Sequence, residues 1–103
     1  MTLKTTIILP ATTASAISQT FTLYNDSTSA TLTCSGLQGS ETAILEYQDA
    51  ISSTWHSYLT GGSIAVFNSS NSKIEVSNNF DTLRINKSAT TIPVGVYCRQ
   101  WLS

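Results

Sequence analysis

Hydrophobic and polar residues alternate along this chain in short runs, and turn-forming residues separate one run from the next. The alternation is clear where Ile74 and Val76 interleave with Lys73 and Glu75, which predicts a half-buried strand because successive strand side chains point to opposite faces. No window carries apolar residues at the i, i+3, i+4, i+7 spacing of a helix over three turns. The pattern therefore predicts an all-β protein.

The turn signals divide the chain into about eight or nine short strands. The predicted ranges are 5–9, 19–24, 30–34, 43–48, 55–59, 63–67, 73–76, 82–86 and 94–102. The connections are too short for helical crossovers, so antiparallel pairing is expected. The pair 19–24 and 30–34 is predicted to be a hairpin, and Gly61-Gly62 is a second hairpin turn. One apolar face per strand favours a compact antiparallel β-sandwich, jelly-roll or immunoglobulin-like, with a barrel as the alternative.

The length of 103 residues fits one domain and one core, so residues 1–103 are interpreted as a single β-sandwich domain. Residues 5–9 are rich in β-branched side chains and are followed by Pro10, which cannot donate a backbone hydrogen bond. Residues 1–18 are therefore expected to form an N-terminal strand or arm, with 5–9 as an edge strand.

Composition excludes several classes of partner. Charged residues are only 11% of the chain, the net charge is −1, and the five basic residues are scattered, so no nucleic-acid partner is expected. No apolar run is long enough to cross a bilayer, so no membrane association is expected. The N-terminal apolar patch is shorter than a signal peptide requires, which favours synthesis in the cytoplasm of the producing cell.

Two cysteines, Cys34 and Cys98, fall on the predicted inward faces of their strands. With Trp55 between them they are reminiscent of an immunoglobulin domain, in which two such cysteines are bonded over a core tryptophan. The tryptophan lies too far from Cys34, and Val96 occupies the place of the corner tyrosine. In a reducing compartment two buried free thiols are favoured. The pair is kept as a possible buried cysteine pair.

The chain contains residue types that can act in catalysis or bind metals, but not in the combinations that an active site or a metal site requires. His56 is the sole histidine, and no nucleophile or orienting acid stands at a recognisable spacing from it. Glu41, Glu46 and Asp49 are interpreted as solvated strand or turn residues rather than a carboxylate pair. No metal-ligand or phosphate-loop spacing occurs. The chain is therefore expected to be no enzyme and to need no metal or cofactor.

Aromatic residues are the remaining candidates for contact with a partner. Trp55 is predicted to fill the core, whereas Trp101, near the C-terminus, is the better interface candidate.

Several short motifs resemble those of small virion proteins of tailed bacteriophages. The motifs occur in the order Gly36-Leu37, Glu41-Thr42, Leu45-Glu46-Tyr47, Thr54-Trp55, Leu83-Arg84-Ile85-Asn86-Lys87-Ser88-Ala89-Thr90 and Val94-Gly95-Val96-Tyr97. The likeness spans roughly residues 19–97. The resemblance implies a non-enzymatic capsid decoration (cement) protein, or a related head or tail accessory protein.

The resemblance also sets the expected partners. It implies a protein that is made in the host cytoplasm and binds the outer surface of a shell of major capsid protein as a homo-oligomer (a trimer or dimer). The residues predicted to contact the partner are Thr5, Ile7, Ile8 and Trp101. The alternatives are a receptor- or carbohydrate-binding module of a tail or head fibre, with Trp55, Tyr58 or Trp101 as a stacking platform, and an immunoglobulin-like adhesion domain.

Overall fold

Antiparallel strands make up the regular structure of the chain in a computed structural model that describes residues 2–23, 27–77 and 82–102. For the strand residues 2, 27–29, 77, 101 and 102, the structure describes the backbone and not the side chain. In the described part the strands are β1 (Thr2–Thr12), β2 (Ala16–Ile17), β3 (Phe21–Thr22), β4 (Ser27–Thr33), β5 (Ala43–Gln48), β6 (Trp55–Ser57), β7 (Leu59–Thr60), β8 (Ser63–Ile64), β9 (Val66–Phe67), β10 (Lys73–Ser77), β11 (Thr82–Lys87) and β12 (Val94–Leu102).

The strands form two main sheets. Sheet 1 has the order β1-β12-β4-β10. Sheet 2 has the order β2-β11-β5-β6, and β3 and β9 add to β11 and β5 respectively. Strands β7 and β8 form a separate hairpin, whose turn residues Gly61 and Gly62 both have positive φ, as a tight hairpin turn requires. The all-β class and the antiparallel pairing predicted from the alternation are confirmed.

Apolar side chains from the inward faces of both sheets form one buried core. Sheet 1 contributes Leu32, Val96 and Cys98, and sheet 2 contributes Leu45 and Ile85. Two sheets that bury one face each against the other define a sandwich. The strands outnumber the prediction for two reasons. The two-residue strand β2 is too short to alternate visibly, and the predicted strands 55–59 and 63–67 are each divided into two.

The predicted hairpin between residues 19–24 and 30–34 is wrong. Strand β3 pairs with β11 in sheet 2, whereas β4 pairs with β12 and β10 in sheet 1. Alternation assigns each strand an inward face but carries no information about its neighbour, and here the chain crosses from one sheet to the other. Residues 24–26 of the predicted strand and turn lie outside the described residues.

Strand β1 is the edge of sheet 1 that the β-branched N-terminal segment predicts. It is longer than the predicted 5–9 because it begins at Thr2 and continues through Pro10 to Thr12. Its register against β12 shifts between Ile7 and Leu9 and again between Leu9 and Thr12. Each shift places one extra residue in β1, which defines a β-bulge. Pro10 falls inside the second shift, where a missing N–H donor is tolerated.

No helix in the described residues is long and apolar enough to span a membrane.

Candidate functional site

The first half of strand β1 is exposed on both faces. Residues 3–7 are all exposed, although Thr6 lies opposite Cys98 and Lys4 opposite Gln100, both of which are buried. Sheet 2 therefore covers β12 and stops short of this part of β1. An edge strand that is uncovered on both faces is open to approach by another protein.

The far side of β1 carries no strand in the part of the chain that the structure describes, since β1 pairs with β12 alone. An edge strand presents a row of backbone N–H and C=O groups that can pair with a strand of another chain. We call residues 3–7, with this free side, the β1 edge.

The outer face of the β1 edge is apolar at its two ends. Ile7 is 62% exposed and lies opposite Tyr97, which is 41% exposed. Leu3 precedes Ile7 by four residues on the same face of β1 and is exposed as well. Thr5 stands between Leu3 and Ile7, opposite Arg99. We call Leu3, Ile7 and Tyr97 the outer strip.

The four predicted contact residues therefore fall in different places. Thr5 and Ile7 are brought together on the outer face of the β1 edge. Ile8 sits in the first bulge, and its half-buried side chain packs against the core. The backbone of Trp101 pairs with Leu3, but its side chain lies outside the described residues. Leu3 and Tyr97 were not among the predicted contact residues. Leu3 shares the two-residue spacing of Thr5 and Ile7, and Tyr97 alternates with the buried Val96, and these are the signals that place both on the outer face.

Trp55 is not a core residue, contrary to the sequence prediction. It is half-buried on the outer face of sheet 2, where the Arg84 guanidinium carbon lies 4.1 Å from the indole centroid. Arg84 Nε donates to Glu46 Oε1 at 2.8 Å, so the guanidinium is held between a carboxylate and an aromatic ring. The position follows from pairing of Trp55 with Gln48, a residue of β5 that faces away from the core.

Tyr58 is packed against the core, with its ring edge-on to Tyr47 at 6.4 Å between centroids. Of the three aromatic residues in the predicted stacking platform, Trp55 is thus the one with a described side chain on an outer face.

His56 is exposed and has hydroxyl and aromatic neighbours. Its Nε2 lies 2.8 Å from Thr54 Oγ1, which lies 2.7 Å from Ser52 Oγ, and its ring is 5.6 Å from that of Tyr47. Asp49 accepts a hydrogen bond from the backbone N–H of Ile51, and this bond, with one from the Ser52 hydroxyl, lowers the pKa of Asp49. These contacts close the turn between β5 and β6.

Glu41 ties two loops together. Its Oε1 accepts from Gln38 N, and its Oε2 accepts from both N and Oγ1 of Thr91, each at 2.8 Å. The bond from Gln38, followed by that of the Thr91 hydroxyl, lowers the Glu41 pKa. Glu41, Glu46 and Asp49 thus bind three separate sets of partners, and in the described residues no cluster of three or more His, Cys, Asp or Glu could hold a metal.

Cys34 and Cys98 are both buried, and neither forms a disulfide. Burial raises the pKa of each thiol to about 11. The buried inward positions match the sequence prediction, and the unbonded state differs from the bonded pair of an immunoglobulin domain.

No protein-family model matches this chain, and no curated protein matches its sequence. Among solved structures, the fold is similar to that in the crystal structure of the SPBc2 prophage-derived protein YomS, with a TM-score of 0.66. The two sequences are 11% identical, and the match covers 96% of this chain and 92% of YomS. The fold is therefore shared over nearly the whole length of both proteins.

Proposed function

We propose that this chain is a non-enzymatic structural protein of a bacteriophage virion, and more specifically a capsid decoration protein. It binds the outer surface of a shell of major capsid protein as a homo-oligomer. Two observations support a phage origin: the sequence motifs that resemble small phage virion proteins, and the fold shared with a prophage-derived protein. The role as a contact protein is carried by the β1 edge, an exposed strand with an apolar outer strip.

The remaining surface suits a protein that assembles on a repeating lattice. Few residues are charged and the net charge is −1, so close neighbours repel one another weakly. Weak contacts suffice because many copies, or several sites on one oligomer, multiply them into firm attachment. The outer strip supplies apolar contact area, and Thr5 and Arg99 between its ends supply polar contacts.

Co-sedimentation with phage capsids that lack this protein tests the proposal. Saturation at a number of copies that matches the capsid lattice is expected, whereas a few copies per particle would indicate a tail, portal or fibre protein. No binding at all would contradict a virion role on the shell.

Point variants then test the contact surface. Ile7→Lys places a charge on the outer strip and is expected to weaken capsid binding at least tenfold. Ile51→Lys is the matched control, because Ile51 is 96% exposed in the turn between β5 and β6, away from the β1 edge. Equal loss of binding in both variants would argue against the β1 edge as the contact surface.

Trp55 supports a second candidate function, a carbohydrate- or receptor-binding module. An indole on an outer sheet face, beside the fixed polar pair Arg84 and Glu46, has the chemistry for stacking on a sugar ring while polar groups bind its hydroxyls. Titration with oligosaccharides, followed by indole fluorescence, tests this function. A signal retained in Trp55→Ala would exclude Trp55 as the platform.

A further inference from the structure

We propose that the β1 edge pairs with the β1 edge of a second copy of this chain, antiparallel and across a two-fold axis at Thr5, so that two copies of sheet 1 become one continuous sheet. The occupant of the edge is thus a second copy of the same protein. The pairing itself does not depend on the proposed function. Only the statement that the outer strips of the two paired copies face the capsid shell rests on it.

The segment of β1 that can pair with a second copy, residues 3–7, has Thr5 at its centre. Residues 3–7 are exposed on both faces, and their register against β12 is regular. The first bulge, after Ile7, interrupts the ladder beyond this segment. A symmetric pairing centred on Thr5 uses residues 3–7 of each copy and no residue of the bulge. Because sheet 2 leaves both faces of this segment uncovered, a second copy can approach without displacing any described part of the chain.

A two-fold axis perpendicular to the sheet places the outer faces of both copies on the same side of the joined sheet. Directly opposite residues must then point to the same face. Because faces alternate along a strand, this requires the axis to pass at a residue position and not between two residues. Within the exposed segment the three central positions are Lys4, Thr5 and Thr6, and their pairings differ in chemistry.

An axis through Thr5 gives two kinds of favourable pair and no unfavourable one. Thr5 faces Thr5 of the second copy, and threonine pairs are favourable across strands. Leu3 faces Ile7 of the second copy, which covers two exposed apolar side chains with each other. Lys4 faces Thr6, so the two lysines are not opposed. The sequence of the β1 edge is thus complementary to itself in this register.

The other two registers are poorer. An axis through Lys4 opposes the two lysines directly, and like charges in opposite positions are unfavourable. An axis through Thr6 places Lys4 opposite Ile8, a half-buried bulge residue, and Leu3 opposite Leu9, whose side chain is already buried in the core. Self-complementarity therefore selects the Thr5 register.

Pairing in this register has a consequence for the outer face. The outer strips of the two copies, each with Leu3, Ile7 and Tyr97, become neighbours across the axis and form one apolar band. The paired segment is short, so the interface is small and micromolar affinity is expected, with firmer attachment once many copies share a lattice.

Charge substitutions at the axis test the pairing. Thr5→Lys opposes two lysines and Thr5→Glu opposes two glutamates, so each variant alone is expected to lose dimer affinity by about tenfold or more. An equimolar mixture of the two is expected to recover a dimer, because the introduced lysine of one copy then faces the introduced glutamate of the other. Sedimentation velocity gives the mass of each sample. The substituted side chain is exposed, so both variants are expected to keep the wild-type circular dichroism spectrum and melting temperature.

Thr60 offers a matched control, since it is an exposed strand threonine in the β7–β8 hairpin. Thr60→Lys and Thr60→Glu are expected to dimerise like the wild type, alone or mixed. A wild-type chain that stays monomeric well above micromolar concentration would overturn the inference, and so would a mixture of the Thr5 variants that fails to recover the dimer.

Capsid co-sedimentation separates this inference from the proposed function. A wild-type dimer that does not bind capsids would contradict the capsid role and leave the pairing intact. A monomeric wild-type chain that saturates capsids would support the capsid role and overturn the pairing.

Discussion

Gly95 in strand β12 lies directly against Leu9 in strand β1: a Cβ added to Gly95 would stand 2.6 Å from the Leu9 carbonyl oxygen. The same Cβ would stand 2.9 Å from the backbone N of Ala11. Gly95 lies opposite the second bulge of β1, where the chain from Leu9 to Thr12 spans the pairs with Val96 and Val94. The bulge can close on β12 only because residue 95 lacks a side chain.

Gly95→Ala is therefore expected to destabilise the protein by roughly 1–3 kcal/mol or more, because backbone atoms, unlike a flexible side chain, cannot move aside cheaply. Urea unfolding followed by circular dichroism measures the change. Gly39→Ala is the control, since a Cβ there meets nothing within 4 Å and costs only the strain of its φ of 57°. If the two variants were equally stable, the close approach of β1 to Gly95 would be wrong.

The two bulges also explain where the sequence misleads. Strict alternation would put Ile7 and Leu9 on the same face, yet Ile7 is exposed and Leu9 is buried. The extra residue at Ile8 shifts the pattern by one, so that Leu9 turns into the core. The alternation alone cannot reveal this, because a bulge depends on the partner strand.

Alternation did predict the faces of the central strands. Leu45 in β5, Ile85 in β11 and Val96 in β12 are buried as their periodicity requires. Strand partners and the surface position of Trp55 were beyond prediction, because both depend on contacts between residues distant in sequence. Of the candidate site, the edge strand was predictable from its β-branched residues, and its two exposed faces became visible only once the extent of sheet 2 was known.

Lys87 is a core residue just beyond the strand predicted over residues 82–86. It occupies the inward position after Leu83 and Ile85 in β11 and is 1% exposed. Its Nζ donates to Ala14 O at 2.9 Å, Ser88 O at 3.0 Å and Thr90 Oγ1 at 3.1 Å, which uses all three of its donors. The ammonium group therefore ties the segment before β2 to the end of β11.

Lys87→Met keeps the side-chain length and removes these donors, which leaves three partly buried hydrogen bonds unmade. We expect a loss of roughly 2–4 kcal/mol in unfolding free energy, measured by urea unfolding. Lys73→Met provides the comparison, since Lys73 is exposed in β10 and its substitution should cost no more than about 0.5 kcal/mol. A Lys87→Met protein as stable as the Lys73→Met protein would show that the three hydrogen bonds contribute little.

The buried thiols are expected to be inert in the folded protein. Burial raises the pKa of Cys34 and Cys98 from 9.0 to about 11, which lowers the thiolate fraction at pH 8 by about a hundredfold, and the thiolate is the reactive form. A chromogenic disulfide reagent should therefore modify neither cysteine in the native state and both after unfolding in denaturant. Rapid native modification would contradict the burial, and an absence of thiols in the unfolded chain would restore the bonded pair of the immunoglobulin alternative.

Glu41 gives the folded state a defined acid sensitivity. Hydrogen bonds from Gln38 and Thr91 to the carboxylate lower its pKa below the ordinary value of 4.5. A carboxyl group whose pKa is lower in the folded than in the unfolded state stabilises the fold above its unfolded pKa, and this contribution is lost as the pH falls through the folded value. The loops around Gln38 and Thr91 should therefore loosen below about pH 4.5 and remain joined at neutral pH.

Glu41→Gln removes this titration, so the melting temperature is expected to fall less steeply between about pH 5 and pH 3 than in the wild type, at the expense of a lower value at neutral pH. Thr91→Val keeps the backbone N–H bond to Glu41 and removes the hydroxyl bond, so it should flatten the profile only in part. Calorimetric melts across this pH range measure all three proteins. Parallel profiles for the wild type and Glu41→Gln would mean that the Glu41 carboxylate binds the two loops no more strongly than its protonated form does.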